Sequence, residues 1–263
     1  MDAALAAARA YEELFVPALF QEWAPRVADA ASVSSGDRVL DVACGTGALA
    51  REMLGRVNPN GTVTGLDPAP GMLAVARERS AAIEWHQGVA ESLPFPDASF
   101  DAVVSQFGMM FFPDRAAAIR EMLRVLTPGG RLAVAVWDSL ENTPLYGSQV
   151  ELLTRLAGAA AGDALRAPFC LGDTGQLTQL FSAAGVETLD VRRHPGSGLF
   201  PSLDMLVEAD LRGWLPLMGV HLDEAKIEEV LAASRDLQSG YVLPDGRLRF
   251  ESPAIIVSCR KPR

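Results

Sequence analysis

Short apolar runs alternate with helical apolar patterns along most of this chain. Apolar residues recur at helical spacing between Ile119 and Leu126, for example, and Asp114 ahead of them is of a type that caps helices. The apolar runs predict strands over residues 38–43, 62–66, 83–87, 101–105, 132–137, 186–191 and 254–259. Strands that alternate with helices indicate a mostly parallel sheet with helices on both of its faces.

Helical patterns fill the connections, and capping residues mark several of their ends. Asp173 and Gln176 resemble a capping box, and Gly185 stands where a C-cap glycine belongs. Other helices are predicted over residues 3–33, 47–57 and 71–79. The first of these is expected to break at Pro17. The pattern therefore predicts the α/β class: a Rossmann-like, mostly parallel seven-stranded sheet with helices on both faces and a helical insertion before the last strand.

The composition fits a single domain with a large core. The chain has 263 residues, of which 49% are hydrophobic, and we expect one domain over residues 1–263. The formal net charge is −10. A phosphate backbone or an anionic membrane surface repels a protein of that sign. The sequence therefore predicts neither a nucleic-acid partner nor a membrane partner.

The cysteines and the amino-terminal residues indicate the cellular compartment in which the protein is expected. Cys44, Cys170 and Cys259 are odd in number and far apart, which favours free thiols in a reducing compartment and offers no metal-ligand pair. The stretch MDAALAAARAYEELF lacks the basic start and unbroken apolar run of a signal peptide. No apolar stretch reaches the length of a membrane span. We therefore expect a cytoplasmic protein without a bound metal.

A glycine-rich turn follows the first predicted strand, in the stretch VLDVACGTGALA over residues 39–50. Such glycines let the backbone approach a ligand, which in parallel sheets binds past the carboxyl ends of the strands. Asp67 lies about 20 residues after Gly47, where an acid accepts hydrogen bonds from ribose hydroxyls. Two alternatives stay open at this point: a dinucleotide fingerprint G-x-G-x-x-A over residues 45–50, and glycines that serve only close packing.

Ordered blocks along the chain separate these alternatives. The blocks are VLDVACGTG, VTGLDPAPGML, ESLPFPDASFDAVVSQFGMMFF and IREMLRVLTPGGRLAVAVW. In content, order and spacing they resemble the class I S-adenosylmethionine-dependent methyltransferases, especially the type 11 branch. The resemblance covers residues 36–138, the expected cofactor-binding core, and a weaker likeness extends to residue 194. It implies S-adenosyl-L-methionine as cofactor and methyl transfer as the reaction.

The resemblance also implies which residues bind the cofactor's methionine and ribose. Backbone groups around the methionine end belong to Ala43, Cys44, Gly45, Thr46 and Gly47. Asp41 is similar to the family's acid near the cofactor's amino group, and a carboxylate suits a ligand that carries an ammonium and a sulfonium. Asp67 matches the acid that binds the ribose.

The remaining implied contacts involve the adenine and the acceptor. Residues beside the adenine or along its edge are Pro68, Met72, Val89, Ala90 and Glu91. Residues that end the fourth strand and face the methionine moiety and the acceptor are Ser105, Gln106 and Phe107.

Two positions depart from the family's pattern. The family often has glycine at the position of Ala43, and a methyl group there restricts the backbone. The family commonly has an aspartate at the position of Val89, which accepts a hydrogen bond from the adenine amino group. Valine cannot accept that bond, so that backbone groups or water replace it, or the affinity for the cofactor is lower.

Methyl transfer requires little acid–base chemistry, because the sulfonium already activates the methyl group and alignment with desolvation can supply the catalysis. We therefore assign no catalytic residue. Side chains that could act as a base or line the acceptor pocket are His86, His194, His221, Tyr11 and Tyr146. We favour structural roles for His86, His194 and Tyr11, and we expect no reactive thiolate at Cys44, which has no basic neighbour in sequence.

Residues 139–170 and 196–240, here named the cap segments, are expected to cover the acceptor. The second is too long for a plain loop, and its Met205, Trp214 and Met218 suit an apolar or aromatic small molecule. We predict O- or C-methylation of such an acceptor. The alternatives are a cofactor-binding protein of this fold with a non-methyl reaction or none, a nicotinamide-dependent oxidoreductase, and methylation of a carrier-bound acyl chain. The oligomeric state stays open.

Overall fold

A computed structural model describes residues 3–263, and contacts divide the chain into two compact units. The first unit contains Met1–Val136, Asp173–His194 and Ile255–Arg263, and the second contains Trp137–Gly172 and Pro195–Ala254. Residues 1 and 2 of the predicted domain lie outside the described part. Both cap segments fall within the second unit. Among the described residues, no helix has the length and apolar character needed to cross a bilayer.

The first unit is built on a seven-stranded sheet, as predicted. The strands of the protein are β1 Arg38–Val42, β2 Thr62–Asp67, β3 Glu84–Gln87, β4 Phe100–Gln106, β5 Leu126–Trp137, β6 Asp190–His194, β7 Ser197–Phe200, β8 Leu248–Glu251 and β9 Ala254–Arg260. The order in the large sheet is β3-β2-β1-β4-β5-β9-β6, while β7 and β8 form a separate antiparallel pair. The parallel pairs β1–β2, β1–β4, β2–β3 and β4–β5 make the sheet mostly parallel.

The central strands have no exposed face. Val39, Leu40 and Val42 of β1 are fully buried, and so is every residue from Leu132 to Val136 in β5. Strands covered by helices on both faces lose the polar alternation of half-exposed strands, which explains their continuous apolar runs. The β-branched residues in these runs also favour the pleated conformation.

Helices occupy most of the connections. In the first unit they are α1 Ala3–Ala10, α2 Ala24–Ala30, α3 Ala48–Val57, α4 Pro70–Arg79, α5 Arg115–Val125 and α8 Thr174–Ala183. In the second unit they are α6 Pro144–Ala157, α7 Ala159–Arg166, α9 Leu203–Glu208, α10 Leu215–Leu217 and α11 Glu224–Leu237. The predicted caps are confirmed: Asp114 accepts a hydrogen bond from the backbone N–H of Ala117, and Asp173 accepts one from that of Gln176. Short 3₁₀ turns cover Gln21–Trp23, Met109–Phe111, Leu140–Asn142, Ala167–Phe169 and Ser239–Tyr241.

Two predicted strand boundaries were wrong. The strand expected over 186–191 runs over Asp190–His194 instead, because the N–H of Val186 still bonds to the carbonyl of Phe181 and completes the end of α8. The strand expected over 132–137 begins at Leu126, since the Pro-Gly-Gly stretch remains extended. Gly129 there donates a backbone hydrogen bond to Lys261, beyond the end of β9.

The amino-terminal helix and the second cap segment also differ from the prediction. Pro17 does not end the helical run, but it lies inside a π-helical segment, Tyr11–Phe20, that replaces the α-helical pattern between α1 and α2. The second cap segment is not purely helical, since it contains β7 as well as α9, α10, α11 and a second π-helical segment, Ala209–Trp214. Strand β8, which pairs with β7, lies beyond residue 240, where the second cap segment was predicted to end.

Candidate functional site

The carboxyl ends of β1 and β4 meet at the point where the strand order reverses. Strand β1 pairs with β2 through Val39 and Val63, and on its other side with β4 through Val39 and Ala102. Connections that leave neighbouring strands in opposite directions open a crevice at their carboxyl ends, where ligands bind in doubly wound sheets. The predicted cofactor residues after β1, β2 and β4 are therefore brought to one edge of the sheet.

The glycine-rich turn after β1 has an unusual backbone. Ala43, Gly45 and Gly47 have φ values of 59°, 55° and 86°, in the left-handed region that favours glycine. A Cβ on Gly47 would lie 2.4 Å from a ring atom of Trp85, on β3. Gly47 therefore needs to be glycine both for its backbone angle and for its packing against Trp85, while Gly45 needs it only for the backbone angle, since a Cβ there would meet only Tyr11, at 4.0 Å.

Asp67 ties the end of β2 to this turn. Its Oδ2 accepts a hydrogen bond of 2.9 Å from the backbone N–H of Gly45, and its Oδ1 accepts one of 2.9 Å from that of Ala69. Burial raises the pKa of Asp67, and the two backbone N–H groups oppose that shift. A carboxylate has about four lone-pair positions, so each oxygen can still accept a bond from a ligand hydroxyl.

Asp41 is a buried acid without a partner. Its residue is 1% exposed, and neither carboxylate oxygen accepts a hydrogen bond from any described residue. Burial, followed by the charge of Asp67, raises the pKa of Asp41 well above its usual range. An unpaired buried carboxylate is costly, so that a cationic group placed beside Asp41 would be strongly stabilised.

The end of β4 carries two more unpartnered polar atoms. Among the described residues, neither Oγ of Ser105 nor Oε1 of Gln106 has a hydrogen-bond partner, although both are buried. The Gln106 amide is oriented by its Nε2, which donates to the carbonyl of Phe20 at 3.1 Å. A Cβ on Gly108 would lie 2.5 Å from the Cβ of Ala43, so the chain after β4 touches the glycine-rich turn.

These atoms leave unmet hydrogen-bonding capacity at the carboxyl ends of β1 and β4. Buried polar groups in folded proteins nearly always have partners. Asp41, Ser105 and Gln106 offer a carboxylate, a hydroxyl and an amide oxygen, and these suit a polar ligand that carries positive charge and hydrogen-bond donors. S-adenosylmethionine has an ammonium, a sulfonium and hydroxyl groups, so the residues present fit the cofactor implied by the sequence.

The sequence did not point to the contacts of the amino-terminal segment with this site. Glu12, 9% exposed, accepts a 2.6 Å hydrogen bond from Oγ1 of Thr46 and a 2.8 Å bond from Nη2 of Arg51. Arg51 also donates to the Thr46 carbonyl at 2.7 Å. An acid in the run YEELF looks like any helix-surface residue, so no local signal could have identified this link.

Aromatic rings from the amino-terminal segment lie next to the same turn. Tyr11 stacks on Phe20 with centroids 5.2 Å apart, and Phe20 lies 5.7 Å from Phe107, whose φ is 56°. Burial, followed by the charges of nearby carboxylates including Asp67, raises the pKa of the Tyr11 phenol. Tyr11 packs as expected, but it does so at the candidate site rather than away from it.

The residues predicted to lie beside the adenine are more exposed than the glycine-rich turn, except Ala90, which is buried. Val89 is 47% exposed, Pro68 is exposed and Met72 is half-buried. The N–H of Gly88 bonds to the Asp67 carbonyl at 3.2 Å. That bond joins the loop of Val89, Ala90 and Glu91 to the end of β2. Glu91 also accepts a 3.4 Å bond from the N–H of Asp114.

The other candidate side chains have simpler explanations. His86 contacts Glu84, with Nε2 at 2.8 Å from Oε1, and its ring packs edge-on to Phe95. His194 ends β6, where burial lowers its pKa. Burial and the charges of Asp41 and Asp67 raise the pKa of the Cys44 thiol well above its usual range, which agrees with an unreactive thiol.

A groove of about 710 Å³ opens elsewhere in the first unit. Its lining includes Arg131 near the start of β5, Asp190 at the start of β6 and Cys259 near the end of β9. None of the predicted site residues lines it. The groove is therefore separate from the group of unpartnered polar atoms at the ends of β1 and β4.

Comparisons with known proteins show which family this chain resembles. A family model described as a methyltransferase domain matches residues 39–130. The demethylmenaquinone methyltransferase of Staphylococcus carnosus is 32% identical over 188 residues, which are 66% of this chain and 78% of that protein. The ubiquinone/menaquinone biosynthesis C-methyltransferase UbiE of Pseudomonas putida is 45% identical over 126 residues, which are 46% of this chain and 49% of that protein. The chain thus spans about half the length of the latter relative.

A solved structure shares the fold over most of the chain. The phosphoethanolamine N-methyltransferase 2 of Haemonchus contortus superposes with a TM-score of 0.61 at 18% identity, covering 97% of this chain and 57% of that protein. Its structures are complexes with S-adenosylhomocysteine and with S-adenosyl-L-methionine. At that level of identity, the likeness shows the fold alone.

Proposed function

Because this chain belongs to the class I S-adenosylmethionine-dependent methyltransferases, we propose that it transfers a methyl group to a small, apolar or aromatic, quinone-like acceptor by O- or C-methylation. The family and the fold predicted from the sequence blocks are confirmed. The relatives named for menaquinone and ubiquinone biosynthesis support a quinone-like acceptor.

The observation that carries the proposal is the buried, unpartnered carboxylate of Asp41 beside the glycine-rich turn. Asp41 would hold the cationic methionine end of the cofactor, and Asp67 would accept hydrogen bonds from the ribose hydroxyls with its remaining lone pairs. Backbone groups of residues 43–47 would surround the methionine moiety. When bound, the cofactor supplies a methyl group that is already activated by its sulfonium.

The protein's own contribution is to orient the reactants and to exclude water. Stacked rings of Tyr11 and Phe20, with Phe107 beside them, give an apolar surface next to the turn. An apolar surrounding strengthens the electrostatic effect of the Asp41 carboxylate. Alignment of this kind can supply most of the acceleration of a transfer that needs no proton abstraction.

The cap segments would supply the acceptor site. The unit that contains them exposes several large apolar side chains, which are Leu199, Met205, Leu217, Met218, Leu237 and Val242. Exposed apolar side chains of this size favour an apolar ligand. Replacing residues 196–240 by a short linker should preserve cofactor binding and abolish acceptor turnover, and normal turnover by the shortened protein would exclude the cap.

Calorimetry with the purified protein tests the donor site. S-adenosylmethionine and S-adenosylhomocysteine should bind, whereas NAD should not. Asp41→Asn should weaken binding, while Asp97→Asn, which alters an exposed carboxylate of the same unit, should not. Binding of NAD at comparable strength would instead favour an oxidoreductase.

Turnover tests the acceptor class. The protein is incubated with labelled S-adenosylmethionine and with phenols, quinols, carboxylic acids, an acyl carrier protein and nucleic acid in parallel. We expect label in a phenol or quinol. Label only in the carrier protein or the nucleic acid would refute the small-molecule proposal, and binding without any turnover would favour a protein with a non-methyl reaction.

A further inference from the structure

Trp85, on the edge strand β3, packs its indole into a gap between two glycines. Trp85 pairs in register with Gly65 of β2, and a Cβ on Gly65 would lie 2.4 Å from both Cε3 and Cζ3 of the indole. At the other edge of the same ring, a Cβ on Gly47 would lie 2.4 Å from Cη2. These distances are far shorter than a van der Waals contact. The six-membered ring of the indole therefore extends from the sheet to the glycine-rich turn.

Helix α4 fixes the position of this indole. Nε1 of Trp85 donates a 2.9 Å hydrogen bond to the carbonyl of Ser80, the residue that follows α4. Nη2 of Arg77, in the last turn of α4, donates to the Trp85 carbonyl at 3.3 Å. A buried indole N–H usually has such a partner. Both the ring and the backbone of Trp85 are thus held, which constrains where the ring lies against Gly47.

Gly47 joins the glycine-rich turn to helix α3. It is the N-cap of α3, its N–H donates to the carbonyl of Cys44 at 2.9 Å, and its carbonyl accepts from the N–H of Arg51 at 3.0 Å. A shift of Gly47 would move the bond that closes the turn together with the first turn of the helix. Close-packed interiors transmit such shifts. The position of the indole therefore reaches the backbone that would surround the methionine end of the cofactor.

Three consecutive residues of the turn are held by three different elements. Asp67, at the end of β2, accepts a hydrogen bond from the N–H of Gly45, and Glu12, in the amino-terminal segment, accepts one from the hydroxyl of Thr46. The indole of β3 packs against the next residue, Gly47. Hydrogen bonds tolerate small displacements, whereas overlap of packed atoms is resisted steeply. The indole thus adds a steric constraint that the two hydrogen bonds do not supply.

We infer that Trp85 is a positioning residue for the methyl donor: its indole, packed between Gly65 and Gly47, sets the position of the glycine-rich turn and thereby the affinity for the cofactor. Trp85 acts through Gly47 rather than by contact with the cofactor. The inference rests on the proposed function, in which backbone groups of residues 43–47 surround the methionine moiety. It adds a residue of β3 to the determinants of that site.

Calorimetry with S-adenosylhomocysteine measures the effect of the ring. Trp85→Val empties the gap and keeps a residue type that favours strands. Its affinity should fall about tenfold, the effect of one misplaced hydrogen bond to the ligand. Trp85→Phe keeps an aromatic ring but loses the bond to Ser80, so its affinity should fall by less.

Phe95→Val is the matched control, because it also removes a half-buried aromatic ring at this edge of the sheet. The Phe95 ring packs edge-on against His86 of β3 and Phe100 of β4, with centroids 5.2 and 5.1 Å apart. His86 follows Trp85 in the strand, so its side chain points to the opposite face of the sheet. This variant should lose stability in urea unfolding and keep the wild-type affinity for S-adenosylhomocysteine.

A double-mutant cycle tests the gap from its other side. Gly65→Ala places a methyl group where the ring atoms lie, so the ring is displaced and the affinity should fall. In the Trp85→Val background the gap is empty, and the same substitution should cost less affinity than in the wild type. Sγ of Cys44 lies 3.0 Å from the added Cβ in both backgrounds, so the cycle cancels its effect. Additive losses of affinity would overturn the inference.

Urea unfolding of the same variants separates positioning from a purely structural role. Lower stability of Trp85→Val with wild-type affinity would overturn the inference, and so would an equal loss of affinity in Phe95→Val. If circular dichroism shows that Trp85→Val does not fold, Trp85→Phe and Gly65→Ala decide the question. Wild-type affinity in both of these variants would then overturn the inference, and reduced affinity in both would support it.

Methyl transfer is measured separately. If the affinity for S-adenosylhomocysteine depends on Trp85 as expected but the wild-type protein transfers methyl to no acceptor, the methyltransferase proposal fails and the inference about Trp85 stands. If the protein methylates a quinol or phenol and Trp85→Val leaves KM for S-adenosylmethionine and the affinity for S-adenosylhomocysteine unchanged, the proposed function stands and the inference is wrong.

Discussion

The carboxylate of Asp67, at the end of β2, accepts a 2.9 Å hydrogen bond from the backbone N–H of Gly45, in the turn after β1. The two residues are 22 positions apart in the chain. Because of this bond, the acid that would bind the ribose also fixes the backbone that would surround the methionine. If Asp67 binds the ribose as proposed, cofactor binding and the shape of the turn would be coupled through one side chain.

Asp67→Ala should weaken binding of both S-adenosylmethionine and S-adenosylhomocysteine by roughly 1.5–3 kcal/mol, because it removes charge-assisted hydrogen bonds. The two ligands share the ribose, so calorimetry should give similar losses for both. Asp67→Asn should lose less, since its amide oxygen can still accept the Gly45 bond. Equal affinities in the wild type and Asp67→Ala would contradict the ribose assignment.

The affinity for S-adenosylmethionine should rise with pH. Burial raises the pKa of Asp41 in the free protein, and a bound cation would lower it again, so the complex holds fewer protons than the free protein. As long as the ligand keeps its ammonium proton, affinity therefore increases by at most about tenfold per pH unit until Asp41 ionises in the free protein. Calorimetry over a pH series should show this dependence, and Asp41→Asn should abolish it; a slope that survives the substitution would assign the proton elsewhere.

Ala43→Gly should not destabilise the protein. Ala43 has a φ of 59°, which costs an alanine roughly 1–2 kcal/mol, and relief of that strain offsets the greater freedom of glycine in the unfolded chain. The matched control is Ala74→Gly inside α4, which should cost roughly 0.8–1 kcal/mol. Urea unfolding measures both variants, and an equal loss of stability in the two would show that the angle at Ala43 is not strained.

Val89→Asp should tighten cofactor binding or leave it unchanged. Val89 is 47% exposed in the loop after β3, so a carboxylate there stays hydrated and can accept a hydrogen bond from the adenine amino group. Val242→Asp, a substitution at an exposed valine of the second unit, is the control for added charge. A clear loss of affinity in Val89→Asp alone, with an unchanged circular dichroism spectrum, would mean that the loop reads the adenine differently.

Glu12→Gln should lower both the stability of the protein and its affinity for the cofactor. The substitution weakens the bonds from Thr46 and Arg51 that link the amino-terminal segment to the glycine-rich turn, with a loss of roughly 2 kcal/mol in unfolding free energy. Glu13→Gln, at the exposed neighbouring position, should change neither quantity. Urea unfolding measures the stability of each variant, and calorimetry measures its affinity for the cofactor. A loss of stability with normal affinity would restrict Glu12 to a structural role.

Local pattern determined most of the fold. Apolar runs identified the central strands because burial on both faces leaves no polar positions in them. Asp114 and Asp173 identified helix starts because capping depends on residues only three positions apart. The strand predicted from Val186 begins later, because the N–H of Val186 bonds to the carbonyl of Phe181 and ends a helix. The strand predicted from Leu132 begins earlier, at Leu126, and Gly129 in its added part bonds to the carbonyl of Lys261. Composition and spacing carry no information on such bonds.

The sequence by itself determined the family and the cofactor, and it predicted binding roles for Asp41, Gly45 and Asp67. Only the tertiary structure decided which polar groups lack partners, and hence that Asp41 is both buried and unpaired. It also decided that Glu12 reaches Thr46 across 34 positions. Hydrogen-bond pairing depends on distances of about 3 Å between residues remote in the chain, and those distances exist only once the elements have packed.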